Sequence, residues 1–263
     1  MTVLLNTTFT GSNGSPWPSP WATALVGGST GGAIDIQSNM GRLRTHDGAY
    51  NTARASATGI VGSDYIVEGT ITFPSVSEQY CFVYIRTSGG WSSSSPWRVT
   101  QGYKFYIGMG YGRDEIVIEK VIDAQKNSLP NASIQMPQPF QANVPYSIKF
   151  SAVGTLFRAK MWRTADSEPP WQISVEDSSI ATGGINTSIL SGSSSGAREL
   201  RWDTFTVTSL ESTDPEDPIT ISSDWTNYIA RSTVGSPEQP NNRQFFIYNG
   251  TELVPVDMYV GGP

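Results

Sequence analysis

YSIKFSAV (146–153), a turn at Gly154, TLFRAKMWR (155–163), the acidic, proline-rich turn TADSEPP (164–170), WQISVEDSS (171–179), a Gly/Ser loop and LRWDTFTVTSL (200–210) carry the strongest fold signal in this chain. Four runs alternate apolar and polar residues with a period of two, and Gly, Pro, Ser and Asp separate them. That pattern specifies antiparallel strands, because successive side chains of a strand point to opposite faces. In residues 156–162 the alternation sends Phe157, Ala159 and Met161 to one face. Leu156, Arg158, Lys160 and Trp162 go to the other, where aliphatic stems can cover apolar surface while the charges stay wet.

The same style of sequence extends upstream, through DYIVEGTITFPSVSEQYCFVYIRTSGG (64–90) and GYKFYIGMGYGRDEIVIEKV (102–121) to an opening strand at LLNTTFTG (4–11). In their order these segments resemble the concanavalin A-like jelly rolls, and within them the LamG-like domains of bacterial and phage proteins. The resemblance covers roughly residues 4–210. It implies an all-β, two-sheet antiparallel jelly-roll sandwich and leaves activity open, because sites are grafted onto a scaffold in many ways. We therefore expect a jelly-roll domain over residues 1–211.

Composition agrees. The 263 residues include 26 Gly and 17 Pro, and no window sustains a helical period beyond about two turns. Val121–Ser128 is the best helical candidate, with a loop as the other reading. Residues 11–32 contain Trp17 and Trp21 among Pro16, Pro18 and Pro20, which disfavours a regular ladder there because proline lacks an N–H. Net charge is −6 without a Lys/Arg cluster. Phosphate-dominated binding needs a basic footprint, so nucleic acid is not an expected partner. No run approaches the roughly 20 apolar residues of a membrane span. The start MTVLLNTTFT lacks the basic region of a signal peptide, which predicts synthesis in the cytoplasm.

STDPEDP (212–218) reads as an extended acidic linker. Residues 219–263 hold short β-prone runs too small to build a core, and so predict an extended C-terminal β arm that folds back on the jelly roll or packs against another chain. Its end, IYNGTELVPVDMYVGGP (247–263), resembles hairpin ends of virion and tail proteins from phages of actinobacteria. Asn249-Gly250 is a type I′ turn signal between residues 246–248 and 253–256.

Glycoside hydrolysis needs two carboxylates roughly 5–9 Å apart. Glu115 and Glu119 share a strand face, but Val117 stands where jelly-roll glucanases place a middle acid, so the resemblance transfers no catalytic residue. His46 is the single histidine, and no Gly-x-Ser-x-Gly elbow accompanies it. One His and one Cys cannot build a typical zinc site, and Cys81 in QYCFVYIR reads as a core thiol. The resemblance offers a structural Ca²⁺ with Asp203 as a ligand; the alternative is an Asp paired with an Arg or capping a turn.

Sugar binding is the remaining candidate, since sugars stack their C–H faces on aromatic rings. Residues 86–103 (RTSGGWSSSSPWRVTQGY) offer Arg86, Trp91, Trp97, Arg98, Gln101 and Tyr103, with Trp17 and Trp21 as additions to the rim. Alternation places Tyr80, Phe82, Tyr84 and Arg86 on one face, and Cys81, Val83 and Ile85 on the other. The competing reading has these aromatics sealing the sandwich or a subunit interface. Trp162 and Trp171 are read as structural.

Taken together, the sequence predicts a non-enzymatic virion protein of a phage, a minor tail or tail-fibre component. Its partners would be other virion subunits (through residues 212–263), host cell-wall glycans and further copies of itself. A capsid decoration protein and a glycoside hydrolase are the alternatives.

Overall fold

The computed structural model describes residues 1–110, 114–193 and 196–210, together with the backbone of the strands at 245–248 and 253–256. The chain divides into two units, Met1–Thr213 and Asp214–Pro263. The first contains β1 (Thr2–Thr7), β2 (Trp21–Val26), β3 (Ala33–Gln37), β4 (Met40–Arg44), β5 (Thr52–Gly62), β6 (Tyr65–Thr72), β7 (Gln79–Trp91), β8 (Val99–Met109), β9 (Glu115–Ile122), β10 (Gln125–Gln135), β11 (Pro145–Val153), β12 (Leu156–Arg163), β13 (Ile173–Glu176), β14 (Gly183–Ser191) and β15 (Glu199–Ser209). One sheet runs β13-β12-β11-β6-β15-β4-β3, with β1 also on β15; the other runs β10-β9-β8-β7-β14-β5-β2. The strand pairings within both sheets are antiparallel.

The period-two reading of residues 156–162 holds. Phe157, Ala159 and Met161 are fully buried in the core. On the outer face, Lys160 Nζ lies 5.6 Å from the Trp162 ring centroid and 4.7 Å from that of Trp171. The eight-stranded sheet also sends Tyr65, Val67, Ile71, Ile148, Phe150 and Val207 into the core. The seven-stranded sheet answers with Ala53, Ala55, Cys81, Val83, Ile85, Phe105, Ile107, Ile116 and Ile118. Trp202 and Phe205, three positions apart, both face inward because β15 shifts register between Trp202 and Thr204. The extra residue at such a bulge flips the alternation.

Three expectations are corrected. Val121–Ser128 is neither helix nor loop but the tip of the β9–β10 hairpin, where Ile122 pairs Gln125 across Asp123 and Ala124, both at positive φ. The primed turn matches strand twist, and the burial of Val121 inside the sheet outweighs local helix preference. Within the Gly/Ser stretch after residue 179, Gly183–Ser191 forms β14, a central strand between β7 and β5. Its Thr187 and Ser188 are fully buried, small enough to sit between neighbouring strands. Within the proline-rich segment 11–32, β2 starts directly after Pro20 and pairs only with β5, at the sheet edge. An edge strand tolerates a flanking proline.

Trp17 and Trp21 also leave the expected sugar rim. Both are buried, with Trp17 4.6 Å from the Phe9 ring centroid and Trp21 5.0 Å from that of Phe205. Their indole N–H groups donate to the Asp35 carbonyl and Thr7 Oγ1. They seal the sandwich.

In the second unit, β16 (Phe245–Tyr248) and β17 (Leu253–Val256) form an antiparallel hairpin in which Tyr248 pairs Leu253. The Asn249-Gly250 turn signal falls outside the described residues. The linker at 212–218 and the remainder of the arm at 219–263 lie outside the described residues.

Candidate functional site

The outer face of the seven-stranded sheet is built by cross-strand register. One row runs Glu119 (β9), Lys104 (β8), Tyr84 (β7), Asn186 (β14) and Ser56 (β5). The next runs Val117, Tyr106, Phe82, Ser188 and Arg54, and the third Glu115, Gly108, Tyr80 and Leu190. Directly opposed residues on one face are the nearest neighbours a sheet provides. The aromatics of three rows therefore collect on β7 and β8. Tyr80 and Tyr106 stack with centroids 5.7 Å apart, and Phe82 packs 5.8 Å from Tyr106.

The β7–β8 connection folds over part of this face. Its residues 92–98 are closed by the Ser92 amide donating to the Arg98 carbonyl and the Arg98 amide donating to the Ser95 carbonyl. Tyr84 donates its hydroxyl to the Trp97 carbonyl at 3.2 Å, and Arg54 donates to the Pro96 carbonyl. Trp91 stands edge-on to Tyr84, donates its indole N–H to Ser56 Oγ, and stacks under the Arg54 guanidinium at 5.0 Å. This loop buries Tyr84 completely and leaves Tyr80, Trp97 and Tyr106 partly open.

Between loop and sheet lies an open groove of about 280 Å³. Its apolar lining is Tyr80, Phe82, Trp97, Tyr106, Val117 and Leu190; its charged lining is Arg98, Lys104, Glu115, Glu119 and Lys126. Lys104 is 4% exposed, with Nζ 2.6 Å from Glu119 and above the rings of Phe82 and Tyr106. Burial lowers its pKa; Glu119 opposes that, while Arg98 and Lys126 add to it. Lys126 Nζ stands 3.9 Å from the same Glu119, and Arg98 donates to the Ala124 carbonyl in the β9–β10 turn.

Of the residues expected from sequence, Trp97 and Arg98 line this groove, and Trp91 buttresses the loop. Gln101 is half-buried, with Oε1 accepting from Ser88. Arg86 and Tyr103 do not reach the groove. Arg86 has φ of 52° at the register shift after Ile85, and this breaks the alternation that put it beside Tyr84. It is 2% exposed and donates to the Ser63, Ile180 and Gly154 carbonyls and to Asp64. Gly183 accommodates it, since a Cβ there would lie 2.3 Å from the Arg86 carbonyl carbon. Tyr103 faces the core against Phe157 and donates its hydroxyl to Asp177. The residues missed were Lys104, Tyr106 and Lys126, although the alternation of 102–109 already set Lys104 and Tyr106 opposite Tyr103 and Phe105; the sequence raises Glu119 only as a catalytic acid.

Other candidates resolve quietly. Glu119 is a buried partner of Lys104. Cys81 is fully buried, and burial pushes its thiol pKa up, so it is a poor nucleophile. His46 accepts from the Gly32 amide at Nδ1 and ties two loops. Asp203 is exposed at the β15 bulge, and no group of three or more His, Cys, Asp or Glu suited to a metal occurs among the described residues.

No protein-family model matches the chain, and no curated protein matches it in sequence. Solved structures do match in fold. A carbohydrate-binding module of family 66 from Bacillus subtilis aligns with TM-score 0.51 and 18% identity, over 75% of this chain and 98% of that one. A Bacillus subtilis protein of unknown function with a galectin-like fold gives TM-score 0.58 at 12% identity, over 80% and 96%. The CBM2 module of the evolved Dit of Lactobacillus casei BL23 phage J-1 gives 0.54 at 7%, over 78% and 94%. The likeness at these identities is one of fold, and it agrees with the all-β jelly-roll sandwich. Two of these three are named as carbohydrate-binding modules, and the third has a galectin-like fold.

Proposed function

We propose that this protein is a non-enzymatic glycan-binding component of a phage virion, and that the groove on the outer face of its seven-stranded sheet holds the sugar. The observation that carries the reading is the Tyr80–Tyr106 stack beside Trp97, ringed by Arg98, Lys126 and Glu115. Partly open rings give a C–H stacking surface, and the charged rim offers hydrogen bonds to hydroxyls, the mixture expected of a small-ligand site.

The hydrolase alternative fares poorly against the geometry. Glu115 and Glu119 lie along one strand, roughly 13 Å apart between Cα atoms at the usual rise. Glu119 is committed to Lys104. Neither arrangement suits a pair of carboxylates facing across a glycosidic bond.

A virion role is supported by the fold shared with a phage Dit module and by the resemblance of residues 247–263 to phage tail proteins. In this reading residues 212–263 dock the protein onto a tail, with a head lattice as the alternative, and the jelly roll presents its groove to the host wall. Two experiments test the two halves. Trp97→Ala and Tyr106→Ala lose retention on host cell-wall polysaccharide while remaining folded; unchanged retention contradicts the groove. Particles made with a chain lacking residues 212–263 contain none of it; normal incorporation contradicts the docking arm.

A further inference from the structure

Two lysines share one carboxylate at the β9–β10 end of the groove, and Arg98 lines the same end. Lys104 is bound to Glu119 at 2.6 Å and Lys126 reaches the same carboxylate at 3.9 Å. Arg98 is held over the turn by the Ala124 carbonyl. Glu115, the other acid of the lining, sits in the third row, four residues further along β9. Against Glu119 and the exposed turn residue Asp123, the three cations leave this end one positive charge in surplus, set within a chain whose net charge is −6. Their mutual repulsion is felt by Lys104, whose proton both neighbours disfavour. Lys104 cannot turn away, being buried over Phe82 and Tyr106. Arg98 has donors left over after its single bond to Ala124, and the side chain of Lys126 is 60% exposed.

From this juxtaposition we infer that the groove selects an anionic glycan. A sugar ring stacks on Tyr80 and Tyr106, and a carboxylate or phosphate substituent lies between Arg98 and Lys126. The inference rests on the glycan-binding reading and narrows its substrate class. An anion there relieves the repulsion among the three cations, while a neutral sugar leaves it in place. The acidic remainder of the molecule repels polyanions, so such binding is local to the groove rather than a property of the whole surface.

The test is affinity electrophoresis and calorimetry of the full chain against four polymers. Polygalacturonate presents carboxylates, poly(glycerol phosphate) presents phosphates, and β-glucan and mannan are neutral. We expect at least one acidic polymer to bind about tenfold or more tighter than either neutral one, with an affinity that falls as salt rises. Arg98→Gln and Lys126→Gln each close most of that gap. Tyr106→Ala weakens acidic binding as well, which separates stacking at the groove from bulk charge attraction. The two acidic arms distinguish carboxylate from phosphate. Neutral polymers bound as tightly as acidic ones, with no effect of Arg98→Gln or Lys126→Gln, overturn the anionic preference and leave the glycan reading standing. Acidic binding indifferent to Tyr106→Ala overturns it too. Binding to none of the polymers, nor to host cell-wall polysaccharide, overturns both.

Discussion

Lys104 Nζ lies 2.6 Å from Glu119 Oε2 across the adjoining strands β8 and β9, and both side chains are almost wholly withdrawn from water. A buried pair of this kind is held together by its geometry as much as by its charge. Removing one partner strands the other in a poorly solvated site, whereas removing both does not. The pair also positions the base of the groove, because the Lys104 ammonium lies over Phe82 and Tyr106.

Glu119→Gln should therefore lower stability by about 3 kcal/mol, with Lys104 left buried and its main partner gone. The double variant Lys104→Met, Glu119→Leu should cost much less than Glu119→Gln alone. Urea unfolding of the three proteins checks this, and equal losses for single and double variants would contradict it.

Arg86 is expected to matter for folding rather than for binding. It satisfies three backbone carbonyls from separate loops, at Ser63, Gly154 and Ile180. Arg86→Met leaves those acceptors without their donor, at a cost on the order of 3 kcal/mol. Its thermal midpoint should fall, while the fraction that remains folded keeps the polysaccharide affinity of the parent.

Tyr103 and Asp177 give the fold opposite pH dependences at its two extremes. Burial, with the bond to Asp177, holds the Tyr103 hydroxyl up to about 12, against about 10 in an unfolded chain. The raised value means stability is intact below pH about 10 and is lost as pH climbs towards 12. Burial alone would raise Asp177, but hydrogen bonds from Lys120, Tyr103 and Ser179 hold it below the usual carboxylate range. Its contribution is present above pH about 4 and drains away as the solution is acidified. Denaturation curves across pH should show both losses, and Tyr103→Phe should flatten the alkaline one.

Trp91 and Trp97 should separate by role. Trp91 holds the loop through Ser56, Tyr84 and Arg54, so Trp91→Ala should reduce stability and binding together. Trp97 lines the groove, so Trp97→Ala should weaken binding about tenfold, or ~1.4 kcal/mol, with the unfolding midpoint nearly unmoved. Calorimetry beside thermal melts distinguishes the two.

Much of this architecture is written in the residues. Phe157, Ala159 and Met161 alternate cleanly with Arg158 and Lys160, and the core lies where that period puts it. β14 was hidden because Asn186, Thr187, Ser188 and Ser191 are buried in it beside Ile185, Ile189 and Leu190, and their polarity reads as loop while their size suits a central strand. At the site, the parity of Tyr80 and Phe82 was legible and carried through to the groove. Arg86 shared that parity on paper, but the shift in β7 and its positive φ rotate it into the core. Bulges of this sort arise from strand pairing with distant residues, here Gly183 and Gly184 on β14. No local pattern announces them.

The central claim is that sugar binds on the outer face of the seven-stranded sheet. Hydrogen exchange of the full chain, with and without saturating host cell-wall polysaccharide, tests it most directly. The account predicts new protection confined to β7, β8, β9 and residues 92–98, and its absence in Tyr106→Ala. Protection that instead maps to the outer face of β6, β11 and β12, or that survives Tyr106→Ala undiminished, would contradict it.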